Sequence, residues 1–110
     1  GQNSSGQLGI GSSANQFRAV KVPGLTDVIA ISGGDSFSYV LKADGTVWAF
    51  GRNTTGQLGN NSTTASSVPV QVKHGDGMLS GVVAISAGRN HGVFLKSDGS
   101  VYAVGQNAYG

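Results

Sequence analysis

The sequence predicts an all-β repeat protein, and three observations lead to this prediction. The phrase Gly-x-Asn-x-x-Gly-Gln-Leu-Gly occurs at residues 1–9 and again at residues 51–59, and its opening returns at residues 105–110. Nineteen glycines, 11% charged residues and the absence of glutamate disfavour long surface helices. Asp-Gly steps separate pairs of apolar runs, which is a strong signal for β-hairpins.

The spacing of the repeated phrase defines the domain organisation. Residues 28–51 align with residues 82–105 without a gap at an offset of 54, whereas the parts before them align at an offset of 50. Because 54 exceeds 50 by four, four additional residues enter around Lys73–Met78. We predict one unit of two repeats over 1–110, with repeat one at about 1–50, repeat two at about 51–104 and a partial third motif at 105–110.

Each repeat offers four strand candidates, of which the first in the chain is an outer strand. This strand is the alternating run Phe17–Val22, and its counterpart is Val68–Val72. Pro69 suits an edge position, where no hydrogen bond between strands is lost. The inner strand follows as a short apolar run closed by glycine, at Val28–Ser32 and at Val82–Ser86, a pattern typical of strands in a crowded interior.

The remaining two strands of each repeat form a hairpin. An Asp-Gly step between apolar strands favours a tight turn because glycine accepts a positive φ. The strands predicted on this basis are Phe37–Lys42 with Val47–Phe50 in the first repeat, and His91–Lys96 with Val101–Val104 in the second.

The repeated glycine-rich phrase follows each hairpin and predicts a compact structural loop. It contains too much glycine to continue a strand, yet Leu8 and Leu58 are too apolar for a loop that only faces solvent. We expect each leucine to fill the gap between adjacent sheets while asparagine and glutamine side chains, including Gln7 and Gln57, bond the turning backbone. A phosphate-binding loop is disfavoured because no Lys-Ser or Lys-Thr pair closes the motif.

Taken together, these phrases resemble the repeat of the regulator of chromosome condensation family over essentially the whole chain. The motifs are V-x-A-I-S-x-G, L-K-x-D-G-x-V, an aromatic residue at Trp48 or Tyr102, and G-x-N-x-x-G-Q-L-G. The resemblance implies β-propeller blades of four strands, usually seven to a ring. Members of the family serve as guanine-nucleotide exchange factors, chromatin-associated adaptors, ultraviolet photoreceptors and inhibitors of β-lactamase, so the resemblance indicates fold better than function.

The chain departs from the family pattern at one position that bears on function. The family often has histidine after the glycine that follows the inner strand, and this chain has His91 in one repeat but Phe37 in the other. A residue that phenylalanine replaces favours a packing or local hydrogen-bonding role over a catalytic one. The exchange-factor residues of the family cannot be matched to positions in this sequence, and none is transferred.

The order of the strands predicts assembly. One blade is complete from about residue 28 to 72, whereas the other has three strands at the C-terminus and its outer strand at the N-terminus. We therefore predict an all-β chain of two four-stranded antiparallel propeller blades, one of them completed by the N-terminal outer strand of a neighbouring chain. The residues of this inter-chain strand are Phe17, Arg18, Val20 and Val22.

A closed ring made of such chains has an even number of blades. Three chains give six blades and four give eight, and the trimer is favoured because six needs fewer chains. In a closed ring the motif at 105–110 duplicates the motif at 1–6, so one copy should be displaced. The alternative is that the chain is a segment of a longer propeller, and the sequence leaves natural and engineered origins equally open.

Composition disfavours several other functions. The chain has no cysteine, no apolar run of the roughly 18 residues that span a membrane, and seven dispersed Lys or Arg against five Asp, for a net charge of +2. We expect a soluble protein in an unknown compartment, with no nucleic-acid partner, no membrane association, no metal site and no cofactor. No catalytic constellation is evident, so the chain is not predicted to be an enzyme.

The sequence thus favours a non-catalytic propeller building block that binds copies of itself and acts as a scaffold. The second hypothesis is a protein-binding platform, resembling an exchange factor or an inhibitor and cut from a longer repeat protein. For that platform the candidate contact loop is the insertion, with Lys73, His74, Asp76 and Met78.

Overall fold

In a computed structural model, residues 1–75 and 77–107 are described, and this part of the chain contains nine strands in three antiparallel sheets. The first sheet has the strand order β1 (Val28–Gly33), β2 (Phe37–Lys42), β3 (Val47–Gly51) and β4 (Ser66–Gln71). The second sheet has the order β7 (Val82–Ala87), β8 (His91–Lys96) and β9 (Val101–Gly105), and β5 (Lys73–His74) pairs with β6 (Gly77–Met78) in a short ribbon. The all-β prediction is confirmed.

The two hairpins form where the Asp-Gly steps predict them. Gly45 has a φ of 83° and Gly99 a φ of 86°, a region in which glycine meets no Cβ penalty. Beside each glycine an aspartate closes the turn: Asp44 accepts hydrogen bonds from the backbone and hydroxyl of Thr46. Asp98 accepts the same two bonds from Ser100, so the two turns are built alike.

The two large sheets stack face to face and share one apolar core. The core residues come from both repeats and from the loop and the ribbon between them, as the low apolar content of each repeat requires. They include the side chains of Phe37, Tyr39, Leu41, Val47, Leu58, Val72, Leu79 and Phe94. The sheets are therefore not separate domains.

The second sheet has three strands in the described structure, and the fourth strand predicted for it is one that a neighbouring chain would supply. Residues 17–22, the predicted outer strand, form no strand within the single chain. A strand requires a partner edge, and in the described chain this segment is paired with none. The first sheet does contain its outer strand, at Ser66–Gln71 rather than the predicted 68–72.

Two further features concern the ends of the repeats. The four-residue insertion is accommodated as the β5–β6 ribbon, an element that the sequence does not predict. The partial third motif at 105–110 falls only in part within the described residues, so its expected displacement stays a prediction. Within the described chain, no helix has the length and apolar character needed to cross a membrane.

Candidate functional site

The interface between the two sheets shows how one repeat binds the next. Tyr39 and Phe94 pack edge to face across it, with ring centroids 5.1 Å apart. The Tyr39 hydroxyl donates a hydrogen bond to the backbone oxygen of Gln57, and burial raises the pKa of this phenol, which keeps it protonated as a donor. The backbone N–H of Ala87 donates to Ser32 Oγ at 2.9 Å. This internal interface is thus apolar at its centre, and further backbone hydrogen bonds join the two sheets, such as that from the Val82 N–H to the Gly45 carbonyl at 3.0 Å.

The second sheet has an open face on the side turned away from the first sheet. We call this side, which carries Ser86, Val93, Leu95 and Val101, the downstream face. It lies opposite the packed residues Phe94 and Tyr102 because side chains alternate along a strand. Leu95 is 39% exposed and Val101 is 61% exposed, whereas the corresponding Leu41 and Val47 of the first sheet are fully buried.

The first sheet has an open face of its own on the opposite side. We call this side, which carries Ile31, Val40, Trp48 and Phe50, the upstream face. Its inner part is uncovered, since Ile31 is 77% exposed, whereas its counterpart Ile85 packs partly against the core. A groove of about 400 Å³ runs along it between Leu25, Val28, Ile31 and Phe50.

The N-terminal segment lies over the outer part of the upstream face. The backbone of Gly9 approaches Phe50 so closely that a Cβ built there would lie 2.9 Å from the ring. A second cavity, of about 520 Å³, is bounded by this loop, by Phe50 and by the residues predicted to form the inter-chain strand. All four of those residues, Phe17, Arg18, Val20 and Val22, line the cavity, and Phe17 is fully exposed.

The two glycine-rich loops are held by the same side-chain contacts. Asn53 accepts the N–H of Leu58 and donates to the carbonyls of Ser62 and Thr64. Asn3 does the same for Leu8, Ser12 and Ala14. These contacts are local and backbone-directed, and they leave little of either asparagine for a ligand. The motif predicts this role for its asparagines, and both make the expected bonds to the turning backbone.

The predicted loop residues occupy different environments in the two repeats. Leu58 is fully buried between the two sheets, whereas Leu8 is half-buried beside the upstream face. Gln57 accepts hydrogen bonds from Thr55 through its side-chain oxygen, while Gln7 accepts one from Ser5. The loops at 1–9 and 51–59 thus each pack on the sheet that follows them in the chain.

The insertion is exposed and lies beside the second sheet. Lys73, His74 and Met78 are all exposed, and Asp76 lies outside the described residues. The His74 ring packs edge to face on Tyr102 with centroids 4.9 Å apart, and the Lys96 ammonium lies 5.2 Å from the centre of the same ring. The ribbon is therefore fixed on one side and free to contact solvent or a partner on the other.

A charged cluster that sequence reasoning missed joins the two repeats. The carboxylate of Asp35 lies 3.8 Å from the Arg89 guanidinium and 3.9 Å from that of Arg52. The backbone N–H of Asp35 also donates to the carbonyl of Arg89. The alignment at an offset of 54 places Asp35 and Arg89 at the same repeat position. The opposite charges at equivalent positions were the sequence signal that could have predicted this cluster.

The position shared by Phe37 and His91 shows a packing contact in both repeats. Phe37 is buried and its ring covers Gly34, whereas the exposed His91 ring covers Gly88. Over residues 1–75 and 77–107, no three side chains of His, Cys, Asp or Glu come together as a metal-binding group. The hydrogen bonds from Thr46 and Ser100 hold the pKa of Asp44 and that of Asp98 below the ordinary range, as expected of turn residues.

Comparison with known families matches the sequence to one repeat model over most of its length. Two family models, both described as Regulator of chromosome condensation (RCC1) repeat, match the chain. One covers residues 1–41 and 44–95, and the other covers residues 28–57 and 82–110. The boundaries of the second model coincide with the inner strands β1 and β7.

Several curated proteins are similar to the chain over nearly its full length. The mouse protein named Regulator of chromosome condensation is 35% identical over 96% of this chain and 25% of its own length. Ultraviolet-B receptor UVR8 of Arabidopsis thaliana is 33% identical over 96% of this chain and 24% of its own length. Probable E3 ubiquitin-protein ligase HERC6 of Homo sapiens is 36% identical over 100% of this chain and 11% of its own length. The chain thus spans about a quarter or less of these relatives.

Solved structures show a similar fold. Human WBSCR16 aligns with a TM-score of 0.84 at 22% identity, covering 97% of this chain and 28% of that protein. Prp20p from Saccharomyces cerevisiae aligns with a TM-score of 0.73 at 21% identity, covering 94% of this chain and 27% of that protein. At these identities the likeness concerns the fold alone.

Proposed function

Because this chain belongs to the regulator of chromosome condensation repeat family, we propose that it is a non-catalytic, protein-binding repeat scaffold whose two open faces each bind another repeat of the same kind. For the 110-residue chain the occupant is a second copy of itself, joined head to tail. Three or four copies then close a ring of six or eight blades, with three favoured.

The observation that carries this proposal is the unequal burial of equivalent residues. Leu41 and Val47 are buried because the second sheet covers them, and Leu95 and Val101 lie at the same positions of a sheet with no cover. The surface that complements the downstream face is the upstream face, which belongs to the same chain. A second copy therefore supplies, on each side, the kind of surface that already packs inside the molecule.

The N-terminal segment supports the same arrangement. Residues 17–22 join no sheet within the described chain, and the second sheet has three strands where the first has four. In a head-to-tail pair this segment extends towards the β9 edge of the preceding copy. Pairing there satisfies the backbone groups of both edges and gives the second sheet a fourth strand equivalent to β4.

Solution mass tests this proposal. Sedimentation velocity over a range of concentrations should show assemblies of three or four times the 11.0 kDa mass of one chain. Val101→Asp places a charge on the downstream face and should give a folded monomer, because Val101 is exposed in the single chain. Thr63→Asp, at an exposed position outside both faces, is the matched control and should assemble normally. A wild-type chain that stays monomeric at about 0.1 mM would refute self-assembly, since specific interfaces commonly form well below this concentration.

A second candidate function rests on the exposed ribbon. Lys73, His74 and Met78 present a cation, an imidazole and an apolar tip beside Tyr102, a composition suited to protein contacts. Prp20p, which shares the fold, has binding properties to Gsp1p and histones, and these two purified proteins are the probes. Removal of residues 74–77 should abolish their binding without changing the assembly mass. Equal binding by the shortened chain would remove this ribbon from the proposal.

A further inference from the structure

The two residues of one charge pair across the internal interface occupy equivalent positions in the two repeats. Asp35 lies in the loop between β1 and β2, and Arg89 lies in the loop between β7 and β8. Their side chains are 3.8 Å apart where the two sheets meet, and the backbone N–H of Asp35 bonds the carbonyl of Arg89. The repeats are thus opposite in charge at the position where each touches the next.

Head-to-tail association exchanges the positions of the acidic and the basic residue, and the pair remains attractive. At the internal interface the first sheet packs on the second sheet of the same chain. At a junction between chains, the second sheet of one chain packs on the first sheet of the next. Arg89 of one chain then faces Asp35 of the next. A position that alternates between acid and base gives opposite charges at every contact when each chain contributes two repeats.

We infer that the alternation at positions 35 and 89 determines which repeat docks: the β7–β8 loop with Arg89, which adjoins the downstream face, selects a repeat with an acidic residue at position 35, supplied by a second copy of this chain. The inference rests on the proposed self-assembly and specifies its chemistry. Both side chains are substantially exposed, at 49% for Asp35 and 85% for Arg89. Exposed pairs of this kind contribute more to the choice of partner than to affinity.

The shapes of the two faces follow the same alternation. Inside the chain Tyr39 reaches Gln57 across Gly92, where an added Cβ would overlap the tyrosine ring. At a junction, Val93 replaces Tyr39 and Ser38 replaces Gly92. Thus the internal interface pairs a large tyrosine with glycine, whereas the junction pairs valine with serine, two residues of intermediate size.

The hydrogen bond to the loop carbonyl is retained in this exchange of shapes. Ser38 already donates to the carbonyl of Gln7, which corresponds to Gln57, at 3.2 Å. The upstream face therefore needs no tyrosine from its partner. It accommodates valine at that position, which the downstream face of this chain provides.

An exchange variant tests the selection directly. It carries Asp35→Arg, Arg89→Asp, Arg52→Gln and Gln106→Arg, so that both ends of the cluster change places and each chain keeps attractive pairs internally. Wild-type and exchange chains, differently tagged, are assembled separately, then dissociated, mixed and reassembled at low ionic strength. Each should assemble alone, and mixed junctions should fall about 2- to 10-fold below random mixing, because they juxtapose like charges. Random mixing should return at about 1 M salt, which screens exposed charges.

Each outcome has a distinct meaning. Random mixing at low salt, with both parents assembling alone, would overturn the charge selection and leave self-assembly intact. Failure of the wild type to assemble would overturn both. A neutral variant, Asp35→Asn with Arg89→Gln, provides a second measurement should the exchange variant not fold. Its assembly should weaken about 2- to 5-fold at low salt and match the wild type at high salt, whereas unchanged assembly at low salt would overturn the inference.

Discussion

Leu41 and Leu95 occupy the same position in the two repeats, and the first is fully buried while the second is 39% exposed. Val47 and Val101 differ in the same way. Both pairs lie in strands with the same register, since β2 pairs with β3 as β8 pairs with β9. The difference therefore arises from the neighbouring sheet and not from the residue or its strand.

This comparison explains why a single repeat of this kind is incomplete. Each sheet has two apolar faces, and stacking two sheets covers only the inner pair. The downstream face and the inner part of the upstream face stay open at the two ends of the stack, where a third repeat would fit. In the proposed head-to-tail assembly, copies of the chain provide that repeat.

The largest effect expected is from shortening the buried leucine. Leu41→Ala should lower the free energy of unfolding by about 2–5 kcal/mol, because the internal core cannot fill the cavity. Leu95→Ala should cost about 1 kcal/mol or less in dilute monomer, where the side chain is partly solvated. Urea unfolding at low and high protein concentration provides the measurement. The cost of Leu95→Ala should rise with assembly, and equal costs in dilute monomer would contradict the comparison.

The second largest contrast should be in the stability lost when alanine replaces the glycine under the Phe37 ring or the glycine under the His91 ring. An added Cβ would overlap the Phe37 ring and the backbone carbonyl of Gly88 in Gly34→Ala, but only the His91 ring in Gly88→Ala. Phe37 is confined in the core, so Gly34→Ala should cost about 1–3 kcal/mol. The exposed His91 can turn away, so Gly88→Ala should cost less than about 1 kcal/mol. Thermal unfolding of the two variants would reveal the order, and the reverse order would show that His91 is the more confined ring.

Removal of one hydroxyl from each interface gives a smaller contrast. Tyr39→Phe leaves the buried carbonyl of Gln57 without its donor and should cost about 1–3 kcal/mol. Ser38→Ala removes the half-buried hydrogen bond from the Ser38 hydroxyl to the carbonyl of Gln7 and should cost about 1 kcal/mol in the monomer. Denaturant midpoints at low concentration measure both. A larger loss for Ser38→Ala would mean that the upstream face is already closed within one chain.

The smallest difference should be between the two hairpin turns at low pH. Hydrogen bonds from Thr46 and Ser100 lower the pKa of Asp44 and of Asp98 below the ordinary 3.8. A carboxyl with a lowered folded pKa stabilises above its unfolded pKa, and this contribution is lost as the pH falls through the folded value. Asp44→Asn and Asp98→Asn should therefore flatten the fall in melting temperature below about pH 4 to the same extent. Unequal flattening would show that assembly, not the turn, sets one of the two values.

The sequence predicts the hairpins and the inner strands because these depend on local spacing. The Asp-Gly steps set the turns, and the register of β2 with β3 follows from them. The strand at 17–22 depends on an edge outside the single chain, so its pattern alone does not produce a strand in the monomer. The β5–β6 ribbon was missed because two-residue strands carry no periodic signal.

The charged cluster shows a different limit of sequence reasoning. Asp35 and Arg89 are far apart in sequence, and each resembles an ordinary solvated side chain when it is considered alone. Their relation emerges only when the two repeats are superposed and the sheets are stacked. The downstream face was likewise hidden, because Leu95 and Val101 belong to a pattern that predicts burial in both repeats.

The most direct test of the complementary faces is disulfide trapping between two single-cysteine chains. The natural chain has no cysteine, so introduced thiols are the only ones present. Inside the chain Ser32 bonds Ala87 across the interface, and the corresponding junction pair is Gly33 with Ser86. Ser32→Cys with Ala87→Cys in one chain, which should form an internal disulfide, calibrates the oxidation.

Chains with Gly33→Cys and chains with Ser86→Cys, differently tagged, are mixed and oxidised under those conditions. Because each chain has one thiol, any cross-link is between chains. We predict that the mixed dimer predominates over both dimers of identical chains and that Val101→Asp prevents it. Absence of the mixed dimer, or an excess of dimers of identical chains, would contradict the head-to-tail pairing of the two faces.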